Sequence, residues 1–217
     1  IGMFKKEKFE IVTDPKDAEI IVINTCGFIQ SAKEEAINTI LEMAEYKQTG
    51  SCKYLVVMGC LVQRYKKDLE KSIPEVDLFL SIDEYDNMWE KIAGLVGAKK
   101  SVNTLDYMNR IVSTGDTTAY LKIAEGCSNR CTYCAIPYIR GPYISRKMED
   151  VLVEAESLAK SGIKELIVIA QDTTKYGIDL YGESKLAELL ERLCKIEGFK
   201  WIRFLYAYPE SITDELI

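Results

Sequence analysis

The chain contains no histidine. That removes the side chain that most often joins cysteine in a zinc site. There is no apolar run long enough to span a bilayer, and no signal-peptide pattern is read, so a cytoplasmic protein without a membrane partner is expected. Positive charge is not in excess. Lys and Arg number 28 against 34 Asp and Glu, and the net charge of −6 argues against a nonspecific nucleic-acid binder. Direct nucleic-acid binding by this segment is therefore not expected, although a further domain could supply a basic face. There is no fixed short repeat and no low-complexity tract. A regular disulfide framework is missing too. The seven cysteines are an odd number, and metal-ligating thiolates in a reducing cytosol explain them better than bridges do.

What is present describes an ordinary globular chain, with 47% hydrophobic and 29% charged residues. Its 217 residues leave room for one large or two modest domains. The opening Ile1-Gly-Met-Phe-Lys-Lys reads as the close of a helix. Near the end, Thr213 reads as an N-cap followed by acidic first-turn residues. Both ends therefore suggest a piece of a longer protein.

The most informative feature is Cys127-Ser-Asn-Arg-Cys131-Thr-Tyr-Cys134, which follows a strand-like run at 120–124. Three thiolates so spaced can hold three irons of a cubane iron–sulfur cluster. The fourth iron then lacks a protein ligand, and an open metal position implies a bound small molecule and chemistry. The alternative is structural zinc, whose fourth ligand would have to come from distant Cys26, Cys52, Cys60 or Cys194.

Elsewhere strands and helices alternate. Residues 19–24 form a continuous apolar run expected to be covered on both faces, and 54–58 and 76–80 are further strands. Ser31-Ala-Lys-Glu34 reads as a capping box opening a helix, with Ala36, Ile37, Ile40 and Ala44 at helical spacing. A helix of roughly two turns is expected from about Arg64, and another over 87–96. These elements predict an open parallel α/β sheet domain over 1–97. Residues 98–117, with Lys100, Asn103 and Asn109, read as a linker. The alternation restarts over 118–217: strands at 119–125, 165–170 and 201–206, and helices at 148–161 and 185–196.

In βα folds, ligands gather where strands end. The cysteine triplet follows the first strand of the second domain, Gln171-Asp-Thr-Thr174 the second, and Tyr206-Ala-Tyr208-Pro209 the third. Alternatively, Asp172 and the threonines merely cap a helix or form a turn. After Cys134, the side chains of Ile136, Ile139 and Ile144 could pack against a cluster. Arg140 and Arg146 could satisfy carboxylates or buried carbonyls, or lie solvated on the surface. In the first domain, Cys26 and Cys60 each close a strand and are expected at one sheet edge. Cys52 lies at the opposite edge, and Cys194, late in a helix, is expected in the core.

The pattern Cys127-x-x-x-Cys131-x-x-Cys134 resembles the radical S-adenosylmethionine enzymes. With Asn24-Thr-Cys26-Gly-Phe and Gly59-Cys60-Leu, the chain resembles the methylthiotransferases among them. Cys134-Ala-Ile-Pro137, Ile139-Arg-Gly141, Gln171-Asp-Thr-Thr-x-Tyr-Gly177 with Asp179-Leu-Tyr181, and Tyr208-Pro209 resemble the branch that modifies a ribosomal protein. The tRNA-modifying branch, the alternative enzyme, tends to carry Ile-Val-Pro and Gly-Gln-Asn-Val-like segments instead.

The resemblance implies that residues 118–217 form the first half of a partial (β/α)6 TIM-like barrel, which is not expected to turn over alone. It implies a 4Fe–4S cluster on Cys127, Cys131 and Cys134 whose open iron binds S-adenosylmethionine, a source of a radical able to attack an unactivated C–H bond. Gln171, Asp172, Thr173 and Tyr133 become candidate cofactor contacts, while no catalytic side chain is indicated. It further implies a second, auxiliary 4Fe–4S cluster with Cys26 and Cys60 as two of three ligands, the third lying upstream of Ile1. The implied substrate is an aspartate of ribosomal protein S-twelve of the small subunit, which would gain a methylthio group on its β-carbon. The implied electron donor is one such as a flavodoxin or ferredoxin. A protein that only binds a cluster or zinc, or carries electrons, is the remaining alternative.

Overall fold

The computed structural model describes residues 1–99, 107 and 110–217. Lys100, Asn103 and Asn109 of the expected linker lie outside the described residues. The chain divides into two compact units, Ile1–Arg110 and Ile111–Ile217.

In chain order, the first unit contains α1 (Gly2–Lys6), β1 (Ile20–Thr25), α2 (Gln30–Ala44), α3 (Tyr46–Thr49), β2 (Tyr54–Gly59), α4 (Cys60–Ser72), β3 (Leu78–Leu80) and α5 (Met88–Val96). The strands form a parallel sheet in the order β1-β2-β3. Strand side chains alternate between faces, so central β2 feeds two cores. Leu55 and Val57 join Ile40 of α2 and Leu61 and Val62 of α4 on one face. Val56 joins Leu80, Trp89, Ile92 and Met3 on the other. There Phe4, Phe9 and Trp89 meet edge to face, with centroids 5.5–5.9 Å apart.

Four expectations are corrected here. β1 is not covered on both faces. It ends the sheet, the second core does not reach it, and Val22 is 37% exposed. Ser31 opens no capping box, because α2 starts two residues earlier than that box requires, at Gln30 behind Ile29, and the Glu34 carboxylate accepts a 2.9 Å hydrogen bond from the Gln30 side chain instead. The helix expected from about Arg64 begins at Cys60, with a break at Tyr65. Gly59, at φ +106°, turns the chain from strand directly into helix. The third strand starts at Leu78. Just before it, Asp77 accepts the Leu55 N–H on its carboxylate at 2.7 Å and donates its own N–H to the Leu55 carbonyl at 3.0 Å.

The second unit contains β4 (Thr118–Lys122), β5 (Ala124–Glu125), α6 (Ile136–Arg140), β6 (Ile144–Ser145), α7 (Met148–Lys160), β7 (Glu165–Ile169), α8 (Ile178–Tyr181), α9 (Leu186–Cys194) and β8 (Trp201–Phe204). β4, β7 and β8 form a parallel sheet in that order. Leu121, Leu166 and Val168 share one core with Val151, Ala155 and Leu158 of α7 and Leu186, Leu189 and Leu193 of α9. Both crossover helices thus cover the same face. That is the arrangement of a barrel wall rather than of a doubly wound sheet. Cys194 is a correction: it is the last residue of α9 and is exposed, because α9 buries Leu186, Leu189 and Leu193 on its other side. No helix among the described residues is long and apolar enough to cross a membrane.

Candidate metal centre

The three strands of the second unit run in parallel, so the segments leaving their carboxyl ends share one rim. After β4 the chain forms a lobe closed by the antiparallel pair β5 and β6, in which Ala124 faces Ser145 and Glu125 faces Ile144. The cysteine triplet lies in this lobe. Its first turn is pressed flat against the return segment: a Cβ on Gly126 would stand 2.0 Å from the Pro142 carbonyl oxygen, and Gly126 sits at φ +69°. Cys127 N–H donates to the Gly141 carbonyl at 3.2 Å, and Tyr143 N–H donates to the Ser128 hydroxyl at 3.1 Å. Cys134 N–H donates to the Cys131 carbonyl at 3.0 Å, closing a turn between these two ligand candidates. Cys127 is buried, while Cys131 and Cys134 are half-buried.

The segment after β7 ties this lobe to the rest of the rim. Asp172 is 1% exposed. Its carboxylate accepts from the Asn129 amide, within the cysteine loop, at 2.8 Å and from Thr174 N–H at 3.2 Å; the Thr174 hydroxyl donates to it as well. Lys175 donates to the other end of the Asn129 amide. Thr173 binds the loop after β8: its N–H donates to the Tyr206 carbonyl at 3.0 Å and its hydroxyl to the Leu205 carbonyl at 3.0 Å. The Asp179 carboxylate accepts both Ser145 N–H and the Ser145 hydroxyl, and the Ser145 hydroxyl accepts Gly177 N–H at 2.9 Å. Tyr181 accepts the first free amide of α7, Met148 N–H, at 3.1 Å. The segment from Asp172 to Tyr181 is therefore a bracket that fixes both ends of the cysteine lobe.

Charges around the lobe are matched. Arg140 binds Glu125 at 2.7 Å, and Lys122 donates to the same carboxylate. Arg146 binds the buried Glu154 at 2.6 Å and the Lys122 carbonyl at 2.6 Å, so both arginines satisfy a carboxylate. Burial, then the carboxylates of Asp172 and Asp179, push the Tyr143 phenol above its ordinary pKa. The Tyr208 hydroxyl lies 3.9 Å from Cys131 Sγ, and that hydrogen bond is the first cause of its raised pKa.

The donor set fits an iron–sulfur cluster. It is all thiol, as such clusters require. Among the described residues, no three His, Cys, Asp or Glu side chains are gathered to hold one metal ion. The Tyr143 hydroxyl is buried without a hydrogen-bond partner among the described residues. A buried orphan donor is costly, and the sulfur-rich edge of a cluster would offer it an acceptor.

In the first unit, Thr25 pairs with Gly59, so Cys26 and Cys60 leave neighbouring parallel strands at one edge, as expected. The two turns are held together. Thr25 donates its hydroxyl to the Met58 carbonyl at 2.6 Å, and Arg64 of α4 donates to the Gly27 carbonyl at 2.9 Å. Cys26 is exposed and Cys60 buried. Cys52 lies at the far end of β2, buried, and burial raises its thiol pKa.

The candidate contacts separate in this structure. Gln171 and Tyr133 are exposed, Tyr133 at 86%, whereas Asp172 and Thr173 are fully enclosed and hold loops together. Asp172 also caps the short 3₁₀ turn Thr173–Lys175, so the capping alternative describes part of its role. Of the apolar residues expected to shield the site, Ile139 is 2% exposed, but Ile144 is 58% exposed because β6 turns it outward. Sequence reasoning missed Asn129, Tyr143 and Ser145. Each is polar and ordinary in its local pattern, and only the crossing of loops gives it a task.

Residues 1–81 match the model of a family described as uncharacterized protein family UPF0004, and residues 121–217 match the radical SAM superfamily. The chain is 68% identical over its whole length to a protein of Alkaliphilus oremlandii named ribosomal protein uS12 methylthiotransferase RimO. Proteins of the same name from Clostridium botulinum strain Hall and Clostridioides difficile are 56% and 51% identical over 97% and 100% of the chain. The chain spans about half the length of these relatives, between 49% and 50%. Its fold is similar to a solved radical S-adenosylmethionine methyltransferase, TsrM, of Kitasatospora setae, described with cobalamin and a [4Fe-4S] cluster bound. The TM-score is 0.57 at 12% identity, covering 90% of this chain and 44% of the other. With radical SAM and UPF0004 segments in one polypeptide, and relatives of one name matching it from end to end, the chain belongs to the radical S-adenosylmethionine methylthiotransferase family.

Proposed function

We propose that this chain is the cluster-bearing part of a methylthiotransferase that modifies an aspartate of ribosomal protein S-twelve. The observation that carries the reading is the cysteine lobe at the end of β4, braced by the segments that leave β7 and β8. Cys127, Cys131 and Cys134 would hold a 4Fe–4S cluster, and Cys26 and Cys60 would supply two ligands to a second one. In such a reaction the first cluster, bound to S-adenosylmethionine, supplies the one-electron chemistry that an inert C–H bond demands. The domains follow: residues 1–97 are the methylthiotransferase amino-terminal domain and 118–217 the radical SAM domain. The setting is cytoplasmic, and a flavodoxin or ferredoxin is the electron donor.

This chain's own residues bind, orient and exclude water. Ile139 and Tyr143, buried in the return segment of the lobe, keep water out of that part of it. Asp172 and Asn129 fix the loop that carries Cys131. Exposed Gln171 and Tyr133 remain available to a bound small molecule, whereas Asp172 and Thr173 act through the loops they hold.

The test is anaerobic reconstitution of the full-length protein, assayed side by side on the ribosomal protein and on tRNA. Methylthiolation of the ribosomal protein alone is expected. Modification of tRNA alone would overturn the substrate assignment. A reduced cluster whose spectrum ignores added S-adenosylmethionine would overturn the enzyme reading.

A further inference from the structure

Cys131 and Tyr208 belong to loops that leave different strands, yet one buried segment fixes both. Asp172 holds Asn129, two residues before Cys131. Thr173, the next residue, holds the carbonyls of Leu205 and Tyr206. Asp172 and Thr173 are 1% and 0% exposed. Tyr206 is kept at φ +63°, a conformation rare for a side chain of its size. Pro209 then starts a short 3₁₀ turn directly after Tyr208. The 3.9 Å separation of the Tyr208 hydroxyl and Cys131 Sγ is thus built from both sides.

We propose that Tyr208 is a positioning residue that donates a hydrogen bond to the Cys131 thiolate and thereby raises the reduction potential of the cluster held there. A thiolate has no proton to give, so the phenol must be the donor. Hydrogen bonds to cluster sulfurs are among the features that set such potentials. One-electron reduction adds negative charge to the iron–thiolate assembly, and a donor stabilises the reduced form more than the oxidised one. The inference rests on the cysteine triplet holding a cluster, and iron and sulfide content tests that premise separately.

The experiment is a mediated redox titration of the anaerobically reconstituted full-length protein, followed by the spectrum of the reduced cluster. Tyr208→Phe should keep full iron and sulfide but lower the equilibrium constant for reduction threefold to tenfold, tenfold being about 59 mV for one electron. Tyr138→Phe, on the same rim but 87% exposed, should leave the potential unchanged. Full cluster content with an unmoved potential in Tyr208→Phe would overturn the proposal. Should that variant lose its cluster, 3-fluorotyrosine placed at 208 alone decides the matter. Its more acidic phenol should raise the potential, and no rise would overturn the proposal. Wild-type protein without iron and sulfide would instead defeat the premise.

Discussion

Asp172 shows how much a single buried carboxylate can organise. Its oxygens accept hydrogen bonds from Asn129 and from both the N–H and hydroxyl of Thr174, and almost none of it touches solvent. Asp172→Ala takes the acceptor from buried Thr174 and half-buried Asn129, a loss on the order of 3 kcal/mol. The expected outcome is a lower urea midpoint together with reduced iron loading after reconstitution. Unchanged stability and loading would remove Asp172 from the bracket. Cys131→Ala acts differently. It should abolish the cluster of the second unit, read as iron and sulfide, with little change in the fold, since Cys131 is half-buried and outside the apolar core. At this scale the triplet was legible from spacing alone. The roles of Asp172 and Thr173 were not, because a buried carboxylate and a ligand-facing one have the same sequence signature.

Two junctions between elements in the first unit make similar demands. Where β2 meets α4, a Cβ on Gly59 would stand 2.5 Å from the Thr25 carbonyl oxygen, and φ is +106°. Gly59→Ala should therefore destabilise by about 1–3 kcal/mol or more and separate the turns carrying Cys26 and Cys60. A thermal melt checks the first effect, and the rate of Cys60 alkylation checks the second. Where β3 meets the next 3₁₀ turn, Glu84 accepts from Lys66 of α4, Lys91 of α5 and both the N–H and hydroxyl of Ser81. Burial alone would raise the Glu84 pKa, but the hydrogen bonds from the two lysines and Ser81 outweigh it and hold the carboxyl well below its ordinary 4.5. A depressed folded pKa stabilises above the unfolded value, and that stability is lost as pH falls towards the folded one. The stability difference between wild type and Glu84→Gln should thus be full at neutral pH and shrink as pH drops below 4.5. Urea midpoints against pH measure it, and a constant difference would contradict the assignment. Element positions were mostly legible, since apolar runs and helical spacing mark the strands and helices. Their starts were less so: α2 begins at Gln30, whose side chain bonds Glu34 one turn on, and α4 begins after Gly59, which is pressed against Thr25 of the neighbouring strand.

For the whole molecule, parallel βα order was readable, but coverage was not. β1 reads as fully buried from its composition, yet the helices of the first unit cover only one of its faces. In the second unit, two helices on a single face turn an ordinary parallel sheet into a barrel wall, and the parallel strands leave all three carboxyl ends on one rim. That rim gives the cysteine triplet its meaning. The most direct measurement is anaerobic reconstitution, with iron, sulfide and zinc counted in the wild type and in the Cys127→Ala, Cys131→Ala, Cys134→Ala triple variant. The expected result is a wild type exceeding the variant by about four irons and four sulfides per chain, with a reduced spectrum that S-adenosylmethionine perturbs. Zinc in their place, or equal iron in both proteins, would contradict it.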